Sequence, residues 1–249
     1  MLTHGLVERL TTLKLHGMAE VLEDIANTKG GAAMDVEEIL TLMIDHEEAV
    51  RQSRALKRRL QVAKLRFPQA AIEDVNFRHK RNLSKGSFLS LARCEWIKSA
   101  YNLLLTGKTG LGKTWLACAL GQRACREGFT VRYLRLPRLF DMMKAARGDG
   151  TGPRLIERLG KVQLLILDDF GLYPMTSDQR RDLMEIVEER VKRRSTLVTS
   201  QLEVKVWHSA FGDPTLADAV LDRLVHNAYR LELEGETIRA NDCPPELEG

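Results

Sequence analysis

The sequence predicts an α/β protein: a five-stranded, mainly parallel sheet between helices, preceded by a small all-helical N-terminal domain. Three observations carry this. Between Tyr101 and Gly235, short apolar runs that read as strands alternate with helical patterns, and strands joined by crossover helices form parallel sheets covered on both faces. Before Tyr101 that alternation is missing, and the apolar residues instead recur at helical spacing. A chain of 249 residues is also long enough to bury a core of this kind.

The elements follow in order. From Leu2 to Ile25, residues Leu6, Val7, Leu10, Leu13, Met18, Val21, Leu22 and Ile25 recur at roughly helical intervals, which predicts one or two amphipathic helices. "NTKGGAA" breaks the pattern. Asp35 with Glu38 is a capping-box signature for a longer helix reaching Pro68. "YNLLLTG" (101–107) reads as a buried strand ending in glycine, followed by a helix from Lys113 to Arg126. "FTVRYLRL" (129–136) is a second strand, and Pro137 opens a helix that stops near Gly148, Gly150 and Gly152. "VQLLILD" (162–168) is a third strand, and Thr176 with Gln179 caps a helix over 178–193. "STLVTS" (195–200), a helix over 213–228 and the strand "YRLELEG" (229–235) complete the series. The expected organisation is a helical domain over 1–68, a basic connection over 69–98, the sheet domain over 99–240 and a flexible tail over 241–249.

Charge is unevenly distributed. The chain carries +4 overall, but residues 1–50 hold three basic and ten acidic side chains, whereas residues 51–98 hold thirteen basic side chains against Glu73, Asp74 and Glu95. Cys94, Cys118, Cys125 and Cys243 form no CxxC pair, and the histidines form no HxxxH or HExxH pattern. Reduced structural thiols are expected, and zinc is not. Glu8 and Arg9 fall where a signal peptide needs its apolar core, and no apolar run approaches bilayer length. A cytoplasmic location without a membrane partner is expected.

Chemistry enters at Gly107-Lys108-Thr109-Gly110-Leu111-Gly112-Lys113-Thr114, a full match to GxxxxGK[ST]. Glycines let backbone N–H groups turn inward around phosphates, and the helix that follows presents its positive end to them. Lys113 would reach the β- and γ-phosphates of ATP, and the Thr114 hydroxyl would bind Mg²⁺. Such a loop needs an acid at the end of a buried strand, and "LLILDDF" offers Asp168 for the metal and Asp169 to orient the attacking water. Two aspartates that merely end a strand are the plainer alternative. In "VTSQ", a strand expected to lie between the other two motif strands, Ser200 or Gln201 would sit near the γ-phosphate; a polar strand end without a role is the alternative. Arg223 lies in "DAVLDRLVHN" on an amphipathic helix and reads either as a solvated charge or as a functional one.

Together, GKTGLGKTW, LLILDDFGL, LVTSQL and LDRLVHNAYRLELEGETIR resemble the IstB-like ATPases, helper proteins of bacterial insertion-sequence transposition. These belong to the AAA+ branch that also holds DnaC-type helicase loaders and DnaA initiators. The likeness extends to "RLTTLKLHGMAEVLED" and "GDPTLADA", so it covers nearly the whole chain. It implies an AAA+ P-loop core behind a helical domain, ATP-dependent homo-oligomerisation on duplex DNA, and a cognate transposase as partner. It also matches Arg223 to an arginine finger that reaches a neighbouring subunit's γ-phosphate, and Arg239 in "GETIR" to a second sensor. Asp168-Asp169 stands where many AAA+ proteins have Asp-Glu, which suits slow hydrolysis.

The basic stretch supplies candidate DNA contacts: Arg51, Arg54, Arg58, Arg59 and Lys64. Dense positive charge suffices for phosphate contacts without base reading, and no helix-turn-helix or zinc-finger pattern is present. A solvated helix, or one paired with a neighbour's acidic N-terminal residues, is the alternative. Among functions, an ATP-controlled DNA-binding switch for transposition fits best. A DnaC-type helicase loader shares the fold, and a small-molecule kinase leaves Arg223 and "VTSQ" without purpose.

Overall fold

The structure is a computed structural model, and it describes residues 2–27 and 34–238. The chain divides into two compact units between Arg58 and Arg59. Each is taken by itself.

The first unit holds α1 (Leu2–Thr12), α2 (His16–Asn27) and most of α3 (Val36–Ala63). The expected capping box is present: the Glu38 amide donates to Asp35 Oδ1 (2.8 Å), and the Asp35 amide to Glu38 Oε2 (3.2 Å). Gly17 opens α2 where a side chain has no room, since a Cβ there would lie 2.7 Å from the Glu47 Cα. The buried Glu47 carboxylate accepts from the amides of Gly17 (2.7 Å) and Met18 (3.3 Å), satisfying donors that a helix start leaves free. Helix α3 ends at Ala63, short of Pro68, because Lys64 turns left-handed (φ +49°) and directs Leu65 into the interior of the second unit.

In the second unit, β1 (Asn102–Gly107), β2 (Val131–Arg135), β3 (Leu164–Phe170), β4 (Ser195–Ser200) and β5 (Ala228–Leu233) form one parallel sheet in the order β2-β3-β4-β1-β5. The three central strands have apolar centres flanked by small or polar residues and almost no exposed surface, as strands covered on both faces must have. Crossovers run through α6 (Lys113–Arg126), α7 (Leu136–Gly148), α9 (Ser177–Arg190) and α11 (Pro214–Val225). The Thr176–Gln179 capping box is also present.

Several elements depart from the expected pattern. A further helix, α8 (Gly152–Lys161), follows α7; its large apolar residues are Leu155, Ile156 and Leu159, of which Leu155 and Leu159 are buried. Strand β3 runs to Phe170, so both aspartates fall within it, and pairing with β4 is irregular between Leu167 and Phe170. Segment 69–98 contains a 3-10 turn (Ile72–Asp74), α4 (Lys85–Leu91) and α5 (Glu95–Lys98), with Phe88, Trp96 and Ile97 buried. A short helix, α10 (Trp207–Phe211), seats Trp207 against Phe170, ring centroids 4.5 Å apart. Cys94, Cys118 and Cys125 are buried free thiols, each pushed up to about 11 by burial. Cys243 and the predicted tail lie outside the described residues. No helix among the described residues is long and apolar enough to cross a membrane.

Candidate nucleotide site

In a parallel sheet every strand delivers its C-terminal end to the same edge, and ligands of open α/β sheets bind there. Strand β1 ends at Gly107, and the loop to Gly112 leads into the first turn of α6. Gly107 and Gly110 have φ of +139° and +88°, and a Cβ would lie 2.2 Å from the Leu233 carbonyl oxygen and 1.9 Å from Thr237 Oγ1. Only glycine fits either position. Lys113 is nearly buried and caps the carbonyls of Gly107 (2.5 Å) and Lys108 (2.8 Å), which holds the loop curled over the helix start.

Asp168 enters from β3, fully buried. Thr114 Oγ1 lies 3.0 and 3.1 Å from its two carboxylate oxygens, and the hydroxyls of Tyr133 (2.5 Å) and Thr199 also donate to it. Burial first, and then the bond to Asp168, holds the Tyr133 phenol well above its ordinary range, so it stays a donor. Among the described residues no group of three or more His, Cys, Asp or Glu is placed to cage a metal. A hydroxyl beside one carboxylate is instead the oxygen set suited to a Mg²⁺ that takes its other ligands from water and phosphate.

Asp169 adopts a left-handed conformation (φ +63°) inside the irregularity of β3. Short polar side chains tolerate that region, and a bulge re-aims a side chain. Its amide donates to Thr199 Oγ1 (3.3 Å), and its carboxylate pairs with Arg135 Nε (2.8 Å) from the end of β2. The bond to Asp169 raises the Arg135 pKa.

Strand β4 lies between β3 and β1, as the sequence predicts. Ser200 is buried, its hydroxyl donating to the Phe170 carbonyl (2.7 Å) and accepting from the Leu202 amide (3.1 Å). Gln201 is exposed and accepts from Thr109 Oγ1 of the loop (2.7 Å). Both line a cavity of about 390 Å³ that also touches Gly110, Lys113, Thr114 and Asp169.

The far wall of that cavity comes from Arg66 and Phe67, at the end of the segment read as the helical domain, and from Asn76, His79 and Arg81 of the segment read as a basic connection. Arg81 is buried and holds the Leu111 carbonyl (3.1 Å) and the Asn76 carbonyl (3.2 Å); burial lowers its pKa. Sequence motifs did not single out Tyr133, Arg135, Thr199 or Arg81. For Arg135 and Thr199 a signal existed, because polar residues near the C-terminal ends of parallel strands converge on one edge.

Arg223 lies elsewhere. The Asn102 side chain, at the start of β1, donates to the carbonyls of Arg223 (3.0 Å) and Leu224 (3.2 Å). At ~3.3 Å per residue, that is about 16 Å along β1 from the phosphate loop. Its guanidinium bonds the Ala219 carbonyl (2.8 Å) and pairs with Glu188 (2.5 Å). The basic candidates are also divided. Arg51 pairs with Glu47 (2.6 Å), while Arg54 and Arg58 are exposed on α3 in the first unit. In the second unit Arg59 bonds the Cys125 carbonyl (3.3 Å) and is half-buried, while Lys64 is exposed. Arg239 lies outside the described residues.

The sheet order, the glycine loop on a helix start and the paired aspartates define a P-loop nucleotide-binding protein. Residues 8–243 match the model of the IstB-like ATP binding protein family, and the chain belongs to that family. It is 48% identical to y4pL of Sinorhizobium fredii, described as an insertion sequence ATP-binding protein, over 97% of this chain and 98% of that one. Among solved structures it is similar in fold to DnaI (TM-score 0.59, 20% identity, 72% of this chain and 94% of that one). It is likewise similar in fold to the DnaC helicase loader (TM-score 0.56, 20% identity, 68% and 99%).

Proposed function

We propose that the protein is an ATP-controlled, DNA-binding regulator of transposition: ATP joins its subunits on duplex DNA, and the assembly serves a cytoplasmic transposase. The observation that carries this reading is the position of Arg223 at the end of the sheet opposite its own phosphate loop. It cannot serve the nucleotide of its own chain, so its use is at the nucleotide of a second copy. Until then the guanidinium is held by Glu188 and the Ala219 carbonyl, bonds it would exchange for the phosphate.

In this reading the backbone of 107–112 cradles the phosphates, Lys113 reaches the β- and γ-phosphates, and Thr114 and Asp168 hold Mg²⁺. Mg²⁺ supplies neutralisation of phosphate charge. Asp169 orients water for attack, and its pairing with Arg135 keeps basal hydrolysis slow. Gln201, bonded to the loop through Thr109, is the better placed reporter of the γ-phosphate, because the Ser200 hydroxyl is committed to Phe170 and Leu202. Arg239 retains its proposed sensor role from sequence. Exposed Arg54, Arg58 and Lys64 supply phosphate contacts to DNA; Arg51 and Arg59, engaged within the protein, contribute less.

The relatives' naming as insertion-sequence proteins supports the transposition context, whereas the likeness to DnaI and DnaC is one of fold. Co-precipitation separates the two roles. Recovery of a transposase is expected; recovery of a replicative helicase in its place would overturn the assignment in favour of a loader.

A further inference from the structure

Asp168 has no exposed surface, yet it receives three side-chain hydroxyls from three different elements: Thr114 from α6, Thr199 from β4 and Tyr133 from β2. Two of these belong to motifs already assigned. The third does not. Tyr133 is opposite Ile166 in the β2–β3 ladder, two residues before Asp168 and hence on the same face. A phenol is long enough to cover that offset, which serine or threonine at this position is not. Its ring is buried (7% exposed), and its hydroxyl ends 2.5 Å from Asp168 Oδ2.

A carboxylate held by one hydroxyl rotates about its Cβ–Cγ bond; one held at both oxygens does not. Thr199 engages Oδ1 and Tyr133 engages Oδ2, which sets the carboxylate plane and leaves the lone pairs beside Thr114 for a cation. We propose that Tyr133 is a positioning residue for the divalent cation at Asp168, acting through the orientation of its carboxylate. This rests on the reading of Thr114 and Asp168 as the cation site. Partners that orient a metal-binding carboxylate typically contribute about 10- to 100-fold in affinity.

The test measures Mn²⁺ binding by electron paramagnetic resonance on the full-length protein saturated with a non-hydrolysable ATP analogue, alongside nucleotide affinity without metal. For Tyr133→Phe, Mn²⁺ affinity is expected to fall about 10-fold, with metal-free nucleotide affinity unchanged. A second variant, Tyr133→Leu, removes the ring as well, and is expected to lose no more Mn²⁺ affinity than Tyr133→Phe so long as its melting curve remains cooperative. Asp168→Asn serves as the reference. If it abolishes tight Mn²⁺ binding while Tyr133→Phe matches wild type, the positioning role is wrong and the cation site stands. If Asp168→Asn also matches wild type, the assignment of the site itself is wrong. Equal loss of metal-free nucleotide affinity in Tyr133→Phe would show a structural role and overturn the proposal.

Discussion

Asp169 is held in two ways at once: its backbone is left-handed in an irregular stretch of β3, and its carboxylate is paired with Arg135. An ion-paired carboxylate is a poorer acceptor for a water proton than a free one. Arg135→Ala is therefore expected to raise basal ATP turnover several-fold without DNA or partner, in a steady-state phosphate-release assay. A drop in turnover with unchanged ATP binding would instead make Arg135 part of the hydrolytic machinery. A second prediction at this scale concerns Arg81, whose guanidinium ties the Leu111 carbonyl of the loop to the Asn76 carbonyl. Arg81→Met keeps the volume and removes the ties, so ATP affinity should fall roughly 10-fold, about the effect of one charge-assisted hydrogen bond. Titration with a fluorescent nucleotide reads this directly, and unimpaired binding would show that the loop keeps its shape without Arg81.

The strands of the sheet were legible as elements because each is an apolar run between turn residues, and the two capping boxes because their chemistry is local. The third strand was misplaced by two residues: hydropathy stops at the aspartates, whereas the backbone stays extended through Phe170. Nothing in residue type alone marks Asp169 as left-handed. Helix α8 was missed because it is only ten residues long and begins inside the glycine cluster that reads as a helix stop, and the cavity wall built by residues 66–81 was missed because it depends on the chain folding back over the loop. What joins these elements is partly Arg190, 1% exposed at the end of α9. It bonds the carbonyls of Leu159 (2.5 Å), Val162 (2.8 Å) and Ser195 and the hydroxyl of Thr196 (3.1 Å), linking α8, α9 and β4. With no carboxylate among these partners, burial pushes its pKa down to about 9. Arg190→Leu strips several buried acceptors at about 1–3 kcal/mol each, so a loss of about 3 kcal/mol or more is expected in urea denaturation. A loss under about 1 kcal/mol would show that water replaces the guanidinium.

At the scale of the whole molecule, nucleotide, second subunit and DNA are assigned to separate parts of the chain. The phosphate loop and the paired aspartates occupy one edge of the sheet, Arg223 the opposite end, and the exposed Arg54 and Arg58 belong to the first unit. Arg54→Glu with Arg58→Glu is expected to weaken duplex binding and flatten its salt dependence, with ATP binding unchanged. An unaltered salt slope in a fluorescence anisotropy titration would place the DNA contacts elsewhere. The central claim, that ATP bridges copies of this chain on DNA through Arg223, is tested most directly by electron microscopy of the protein on duplex DNA with a slowly hydrolysed ATP analogue, beside Arg223→Ala. Wild type is expected to form multi-subunit assemblies around the duplex that depend on the analogue, and Arg223→Ala to bind nucleotide yet remain dispersed. Isolated wild-type subunits, or assemblies that persist in Arg223→Ala, would contradict the account.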